Sequence, residues 1–141
     1  MIYADNAATT KMSKAAIDAM LPYMEEYYGN PSSLYAFGQQ AKEALENARS
    51  RIAACLHADP REVTFTSGGS EADNQAIMTA AALGMRRGKK HIVSTAFEHH
   101  AVLHTLEKLK KQGFEVTLLD VHNTGLVRPE QVKPSGKTPA L

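Results

Sequence analysis

The stretch "VTFTSGGSEADN" at Val63–Asn74 joins two kinds of local pattern. Its first four residues are β-branched or aromatic, which favours a strand, and the residues after the two glycines favour a helix. Glycine and small hydroxyl residues between them predict a tight turn. We therefore expect a strand over Val63–Thr66, a turn at Gly68 and Gly69, and a helix over Ser70–Arg87.

The same alternation continues towards the C-terminus. The pattern predicts a strand at His91–Ser94, a helix at His99–Gln112 and a strand at Glu115–Asp120. Gly88 and Gly113 suit the ends of the two helices, because glycine adopts the left-handed conformation that closes many helices. A βαβαβ order predicts an α/β fold whose mostly parallel sheet is flanked by helices.

Two further helices are expected before this alternating part. Ser13 suits the N-cap of a helix to about Tyr27, which Pro22 should kink or divide, and an apolar stripe predicts a longer helix at Phe37–Leu56. The segment "MIYAD" at residues 1–5 reads as an edge strand. We expect residues 1–132 to be an incomplete large domain. The atypical tail at 133–141, "KPSGKTPAL", reads as the end of a truncated chain or of a fragment.

Composition narrows the classes of function. Apolar residues make up 43% of the chain, charged residues 22%, and the net charge is +1. This balance argues against nucleic acid or an anionic membrane as the main partner, and no apolar run reaches the length of a membrane span. Cys55 is the one cysteine, which excludes an intrachain disulfide and favours a cytoplasmic location. Its place on the apolar stripe predicts a buried thiol.

The turn at Gly68–Ser70 has two interpretations. The N-terminus of a helix carries unpaired N–H groups and a partial positive charge, and glycine lets a ligand approach the backbone, so the turn could hold a phosphate. The alternative is a tight turn with a serine cap and nothing bound. The stretch matches neither G-x-x-x-x-G-K-[ST] nor G-x-G-x-x-G, so a nucleotide is not indicated.

The segment "FEHHAVLH" at Phe97–His104 places three histidines near a strand end. His100 and His104 are four residues apart and could share a helix face as metal ligands do, but only Glu98 could add a ligand nearby, so we expect no metal. Capping histidines are the plain alternative, and a ring stacked on a flat cofactor is the third. Ligands of open parallel sheets bind at the carboxyl ends of strands. Gly69 and His99 both follow strand ends, so one ligand could contact both.

Four segments together resemble a known family. They are "YADNAATT" at Tyr3–Thr10, "GNPSS" at Gly29–Ser33, "TSGGSEADN" at Thr66–Asn74 and "EHHAVL" at Glu98–Leu103. In this order and spacing they resemble the N-terminal part of the cysteine desulfurases, fold-type I pyridoxal-phosphate enzymes of the class V aminotransferase family. The residues of these motifs resemble the NifS/IscS branch more closely than the SufS or selenocysteine-lyase branch, which stays an alternative.

The resemblance implies roles for individual residues. Gly69 and Ser70 match the positions that bind the phosphate of pyridoxal 5′-phosphate. His99 matches the histidine that stacks on the pyridine ring and assists proton transfer, which makes it the catalytic candidate. The resemblance assigns three residues more weakly to loops near the substrate: Asn6, Ala7 and Asn30.

The resemblance also implies an activity and partners. The family converts L-cysteine to L-alanine and leaves the sulfur as a persulfide on an enzyme cysteine, for a sulfur-acceptor protein. No segment here matches the family's cofactor-binding lysine or persulfide cysteine, so we expect a catalytically incomplete N-terminal fragment. Exposed apolar surface predicts a homodimer or other self-association, through the helix at Phe37–Leu56 and the sheet edge. The alternatives are a non-catalytic dimerisation module and a module that binds phosphate ligands.

Overall fold

The computed structural model describes residues 2–121, 123 and 125–132. These residues form two compact units, which meet in the sequence between Thr64 and Phe65. The tail at 133–141 lies outside the described residues, and the assignment of residues 1–132 to one large domain stays a prediction.

The first unit contains two helices, α1 at Lys14–Glu25 and α2 at Ala36–Leu56. The hydroxyl of Ser13 accepts a hydrogen bond from the Ala16 backbone N–H at 3.2 Å, which confirms the predicted N-cap. Pro22 does not divide α1. It removes one N–H from the last turn, and the chain closes that turn with hydrogen bonds from later residues to the Pro22 carbonyl.

Apolar side chains of the first unit are widely exposed. Among its described residues only Gly38 and Ala53 are buried on the two helices. A groove of about 890 Å³ runs between α1 and α2, and Tyr23, Tyr27 and Ile52 line it. The unit therefore presents apolar surface that its own helices leave uncovered.

The second unit contains α3 at Gly69–Arg86, β1 at His91–Thr95, α4 at His100–Lys111 and β2 at Glu115–Leu119. The two strands pair in parallel, with His91 opposite Glu115 and Thr95 opposite Leu119. A parallel pair needs a crossover connection, and α4 is that connection. The predicted α/β class with a parallel sheet is confirmed.

The predicted strand at Val63–Thr66 is wrong, and so is the predicted edge strand at the N-terminus, of which residues 2–5 are described. Val63 is extended, with φ −94° and ψ 120°. An extended segment becomes a strand only when a neighbour pairs with its N–H and C=O groups. The carbonyl of Val63 instead accepts a hydrogen bond from the guanidinium of Arg49. The described sheet therefore has two strands rather than the three of βαβαβ.

A small apolar core holds the second unit together. Ala81 from α3, Ile92 from β1, and Leu106 and Leu109 from α4 form one buried cluster with Phe114. Four apolar residues pack against this cluster while partly buried: Ile77, Met78, Val102 and Val116. The apolar stripes of α3 and α4 thus face each other and the sheet.

The C-terminal ends of α3 and α4 have the same local structure. Gly88 has φ +72° and Gly113 has φ +89°, a conformation in which a side chain is strained. Each glycine follows its helix and donates its N–H back to the last turn, as does the next residue. This double closure is the Schellman motif, and it confirms the predicted helix ends. In the described part of the chain, no helix is long and apolar enough to cross a lipid bilayer.

Leu109 is 1% exposed, so its replacement tests the core. We expect Leu109→Ala to lower the free energy of unfolding by about 2–5 kcal/mol, because a buried leucine leaves a cavity. Leu83→Ala on α3 is the matched control, since Leu83 is 49% exposed. Urea denaturation followed by circular dichroism measures both. Equal losses for the two variants would show that the core lies elsewhere.

Candidate functional site

The turn before α3 presents unpaired donors. Gly68 is the N-cap and has extended backbone, with no side chain capping the helix. Among the described residues, none accepts a hydrogen bond from the backbone N–H of Gly69 or Ser70. A Cβ atom built on Gly68 or Gly69 would meet nothing within 4 Å. Two N–H groups without a protein acceptor therefore stand at the positive end of a helix, beside glycines that leave space for a ligand, as anion binding requires.

Glu71 organises the other side of this turn. Its carboxylate accepts hydrogen bonds from the hydroxyl and the backbone N–H of Ser67, each at 2.7 Å. These two bonds, the hydroxyl bond first, lower the pKa of Glu71 below 4.5. The Ser67 N–H is thus taken by the protein itself, whereas the N–H groups of Gly69 and Ser70 stay available to a ligand.

His99 is the N-cap of α4. Its Nδ1 accepts a hydrogen bond from the Ala101 backbone N–H at 3.1 Å. His99 therefore caps α4, and this bond leaves the face of its ring available to contact a ligand. An accepting Nδ1 leaves Nε2 as the nitrogen that carries the ring proton, and the bond fixes the ring relative to α4.

The rings of His99, His100 and His104 are neighbours, but among the described residues they are not arranged as a metal site. The ring centroids of His99 and His100 are 6.2 Å apart, and those of His100 and His104 are 5.4 Å apart. Within the described ranges, no group of three or more histidine, cysteine, aspartate or glutamate side chains is arranged to hold a metal ion.

Asn74 brings the starts of α3 and α4 together. Its Nδ2 donates to the Ser70 carbonyl at 2.7 Å and, more weakly, to the Ala101 carbonyl at 3.4 Å. Its Oδ1 accepts from the Thr105 hydroxyl at 2.6 Å. The first two turns of the two helices therefore lie side by side, so the Ser70 turn and the His99 cap are at the same edge of the second unit, as the sequence predicts.

The remaining predicted site residues belong to the first unit. Asn6 and Ala7 lie in a turn in which the Ala8 N–H donates to the Asp5 carbonyl at 3.1 Å. Asn30 accepts from the Ser32 N–H at 2.9 Å through its side chain. These contacts account for the shape of the loops, and a substrate role for Asn6, Ala7 and Asn30 stays a prediction.

The loop at 30–33 packs tightly on the start of α2. A Cβ atom on Gly38 would lie 2.6 Å from the Asn30 carbonyl oxygen and 2.6 Å from the Ser33 Cβ. Gly38 is therefore required by space, in contrast to Gly69, which has room for a side chain.

Cys55 is exposed, so the predicted burial of its thiol is wrong. The prediction rested on the apolar stripe of α2. Ile52 on the same helix is 41% exposed and Leu56 is 67% exposed. Helical periodicity identifies which residues share a face, but it does not supply an element to cover that face.

The family model described as aminotransferase class-V matches residues 2–137. The chain belongs to the aminotransferase class-V family. The predicted resemblance is confirmed in its branch as well, since curated relatives carry the name IscS and a solved structure is called NifS-like.

Individual relatives give the extent of the match. The cysteine desulfurase IscS of Methanosarcina thermophila is 48% identical over 132 residues, which are 94% of this chain and 32% of that protein. A NifS-like protein of known structure has a TM-score of 0.83 at 36% identity, over 90% of this chain and 35% of its own. The structure of SspA in complex with cysteine gives 0.81 at 36%, over 92% and 37%. The chain spans about a third of the length of the curated relatives it matches.

Sequence reasoning gave no role to Asn74, Thr105 or Glu71. A signal for the first two was present, because each stands on the apolar stripe of its helix. Asn74 precedes Ile77 and Ala81 at helical spacing, and Thr105 lies between Val102 and Leu109. Thr105 is 3% exposed and needs a partner, and the side chain of Asn74, which is itself exposed, supplies one.

The bonds from Ser67 to Glu71 have a consequence for pH. Because the folded chain holds the pKa of Glu71 below 4.5, they stabilise the turn fully above that value and are lost as pH falls through the lower, folded value. We expect the Glu71 carboxyl to titrate below 4.5 in the folded chain, as measured by nuclear magnetic resonance. Ser67→Ala should move the midpoint back towards 4.5, because it removes the larger contribution. An unchanged midpoint in that variant would contradict this account.

Proposed function

We propose that this chain supplies the phosphate and ring contacts for pyridoxal 5′-phosphate in a cysteine desulfurase of the IscS type. The observation that carries the proposal is the hydrogen bonding of Asn74 to Ser70 on α3 and to Thr105 on α4. It places a helix N-terminus with free donors beside a helix that begins at a histidine. A ligand with a phosphate at one end and a flat ring at the other matches this pair.

The residues present fit such a group. The backbone N–H groups of Gly69 and Ser70, with the Ser70 hydroxyl, are the donors that a phosphate dianion needs at a helix N-terminus. The open space beside Gly68 and Gly69 admits it. His99 offers an imidazole face whose orientation is fixed by its bond to Ala101.

The chain's own residues would then act as follows. Gly69 and Ser70 hold the phosphate, and the His99 ring holds the pyridine ring in place. Since Nδ1 of His99 accepts the cap bond and Nε2 carries the ring proton, the ring presents Nε2–H to a ligand as a hydrogen-bond donor. The ring takes up a proton only at Nδ1, when the cap bond opens. When bound, pyridoxal phosphate supplies an electron sink for carbanion chemistry.

The relatives support a proposal for the activity. We infer that the complete enzyme converts L-cysteine to L-alanine and passes sulfur to an acceptor protein, for iron–sulfur clusters or thio-cofactors. Support comes from the identity to IscS and from the likeness to SspA, whose structure contains cysteine. Asn6, Ala7 and Asn30 are the proposed substrate-side residues, and a cytoplasmic location is part of the same proposal.

A module that binds simple phosphates is the second candidate. The free donors at the start of α3 favour it, because they would bind any phosphate without help from His99. The two proposals differ in one measurable property, which is the preference for a phosphate that carries a pyridine ring.

Replacing His99 by asparagine tests the proposal. Asparagine is a good N-cap, so His99→Asn keeps α4 capped and removes only the ring. We expect the variant to bind pyridoxine 5′-phosphate roughly two- to tenfold more weakly than the wild type, because a stacked ring pair contributes about 0.5–1.5 kcal/mol. Affinity for inorganic phosphate should not change. Titration followed by amide chemical shifts measures both affinities.

Pyridoxine 5′-phosphate is the suitable ligand because it lacks the aldehyde that reacts with surface lysines. Ser70→Ala is the companion variant, and it should weaken both ligands because it removes a phosphate donor. Equal affinity of the wild type for the two ligands would sink the cofactor proposal and leave the simple phosphate module.

We also infer self-association through the first unit. Its groove between α1 and α2 is lined by aromatic and aliphatic side chains, and Ile52 on α2 is 41% exposed. A second copy would cover apolar surface that the unit leaves in water.

Sedimentation equilibrium over a concentration series measures this association. We expect wild type to self-associate and Ile52→Lys to shift the equilibrium towards monomer, because the charge would have to be buried. Ser50→Lys, at an exposed position of the same helix, adds the same charge outside the groove and should leave association unchanged. A wild-type chain that stays monomeric throughout would refute the inference.

A further inference from the structure

Asn74 forms the polar link between α3 and α4. It donates to the Ser70 carbonyl at 2.7 Å within its own helix, and it accepts from the Thr105 hydroxyl of α4 at 2.6 Å. Among the described residues, the side-chain hydrogen bonds that cross from α3 to α4 are those of Asn74 to Thr105 and Ala101.

The chemistry of this link fixes its geometry. Both groups that face Nδ2 are carbonyls, so the amide has one orientation that pairs all its contacts. Thr105 is 3% exposed, and its one hydroxyl hydrogen is shared between Asn74 Oδ1 and the Ala101 carbonyl at 2.8 Å. The bond to Ala101 lies within α4, so the bond that a shift of the helices would break is the one from the Thr105 hydroxyl to Asn74. That directional bond favours one relative position of the two helices here.

The apolar core alone does not give this precision at the N-terminal ends. The buried cluster begins beside the link, since Leu106 follows Thr105 directly, and it extends to Ala81, about two turns further along α3 than Asn74. Apolar contacts are also non-directional, so they tolerate small shifts of one helix along another. The Asn74 link sits in the second turn of each helix, one turn from the Ser70 donors and within two turns of the His99 cap.

We propose that Asn74 is a positioning residue that fixes the separation between the phosphate donors of Ser70 and the ring of His99. This inference rests on the proposed function, because the separation matters only for a ligand that uses both. Two contacts to one rigid ligand reinforce each other only when the protein holds them at the ligand's own spacing. Loosening the link should therefore weaken the two-part ligand and leave each separate contact intact.

Asn74→Ala tests this role in the full chain. Alanine favours helix, so α3 should persist in the variant. We expect affinity for pyridoxine 5′-phosphate to fall roughly five- to tenfold, the factor that one neutral hydrogen bond commonly represents. Affinity for inorganic phosphate should stay at the wild-type value. Gln75→Ala, the adjacent exposed position on α3, is the matched control and should change neither affinity.

Thr105 provides an independent pair of variants. Thr105→Val keeps the shape but removes the hydroxyl, so it should reproduce the selective loss. Thr105→Ser keeps the hydroxyl and should restore the affinity for pyridoxine 5′-phosphate. Circular dichroism confirms that each variant is folded before titration.

Three results would overturn the inference. Unchanged affinity for pyridoxine 5′-phosphate in Asn74→Ala and Thr105→Val means that the link does not position the site. Equal losses for both ligands mean that Asn74 only supports the fold. A wild type that does not prefer pyridoxine 5′-phosphate to inorganic phosphate overturns the proposed function, and the role that rests on it, in a measurement that involves no variant.

Discussion

Burial of Leu109 in a cluster with Ala81 and Ile92 is the contact on which the second unit depends. It joins α3, α4 and β1, and it lets two strands pair in parallel with α4 as their crossover. Because both helices use their apolar stripes for this contact, their N-terminal turns come to the same edge. The site residues stand at those turns, so the apolar core determines that they can meet.

Polar contacts then refine what the core makes possible. Glu71 takes the Ser67 N–H and leaves the donors of Gly69 and Ser70 open, while Asn74 ties the Ser70 turn to α4. His99 caps α4 and keeps one ring nitrogen free of the backbone. Directional hydrogen bonds set positions that non-directional apolar packing leaves loose, and the proposed cofactor contacts depend on those positions.

Much of this was readable from local sequence, and the exceptions share a cause. The helix ends at Gly88 and Gly113 and the cap at Ser13 depend on residues within a few positions, so their prediction succeeded. The strand at Val63–Thr66 and the burial of Cys55 depend on a partner elsewhere in the chain, and both predictions failed. A local sequence pattern indicates the backbone conformation of a segment and which of its residues share a face. Pairing of a strand and burial of a helix face require a second element of the chain.

The sequence by itself determined the helices of this protein, their ends, the parallel α/β class and the family to which the four motifs point. Periodicity, caps and turn residues depend on residues a few positions apart, and so they can be predicted from the sequence alone. Only the tertiary structure decided that Asn74 and Thr105, which are 31 positions apart in the chain, form one hydrogen-bonded pair. That pairing arises because two helices pack side by side on a sheet, a relation between distant residues that no local pattern encodes.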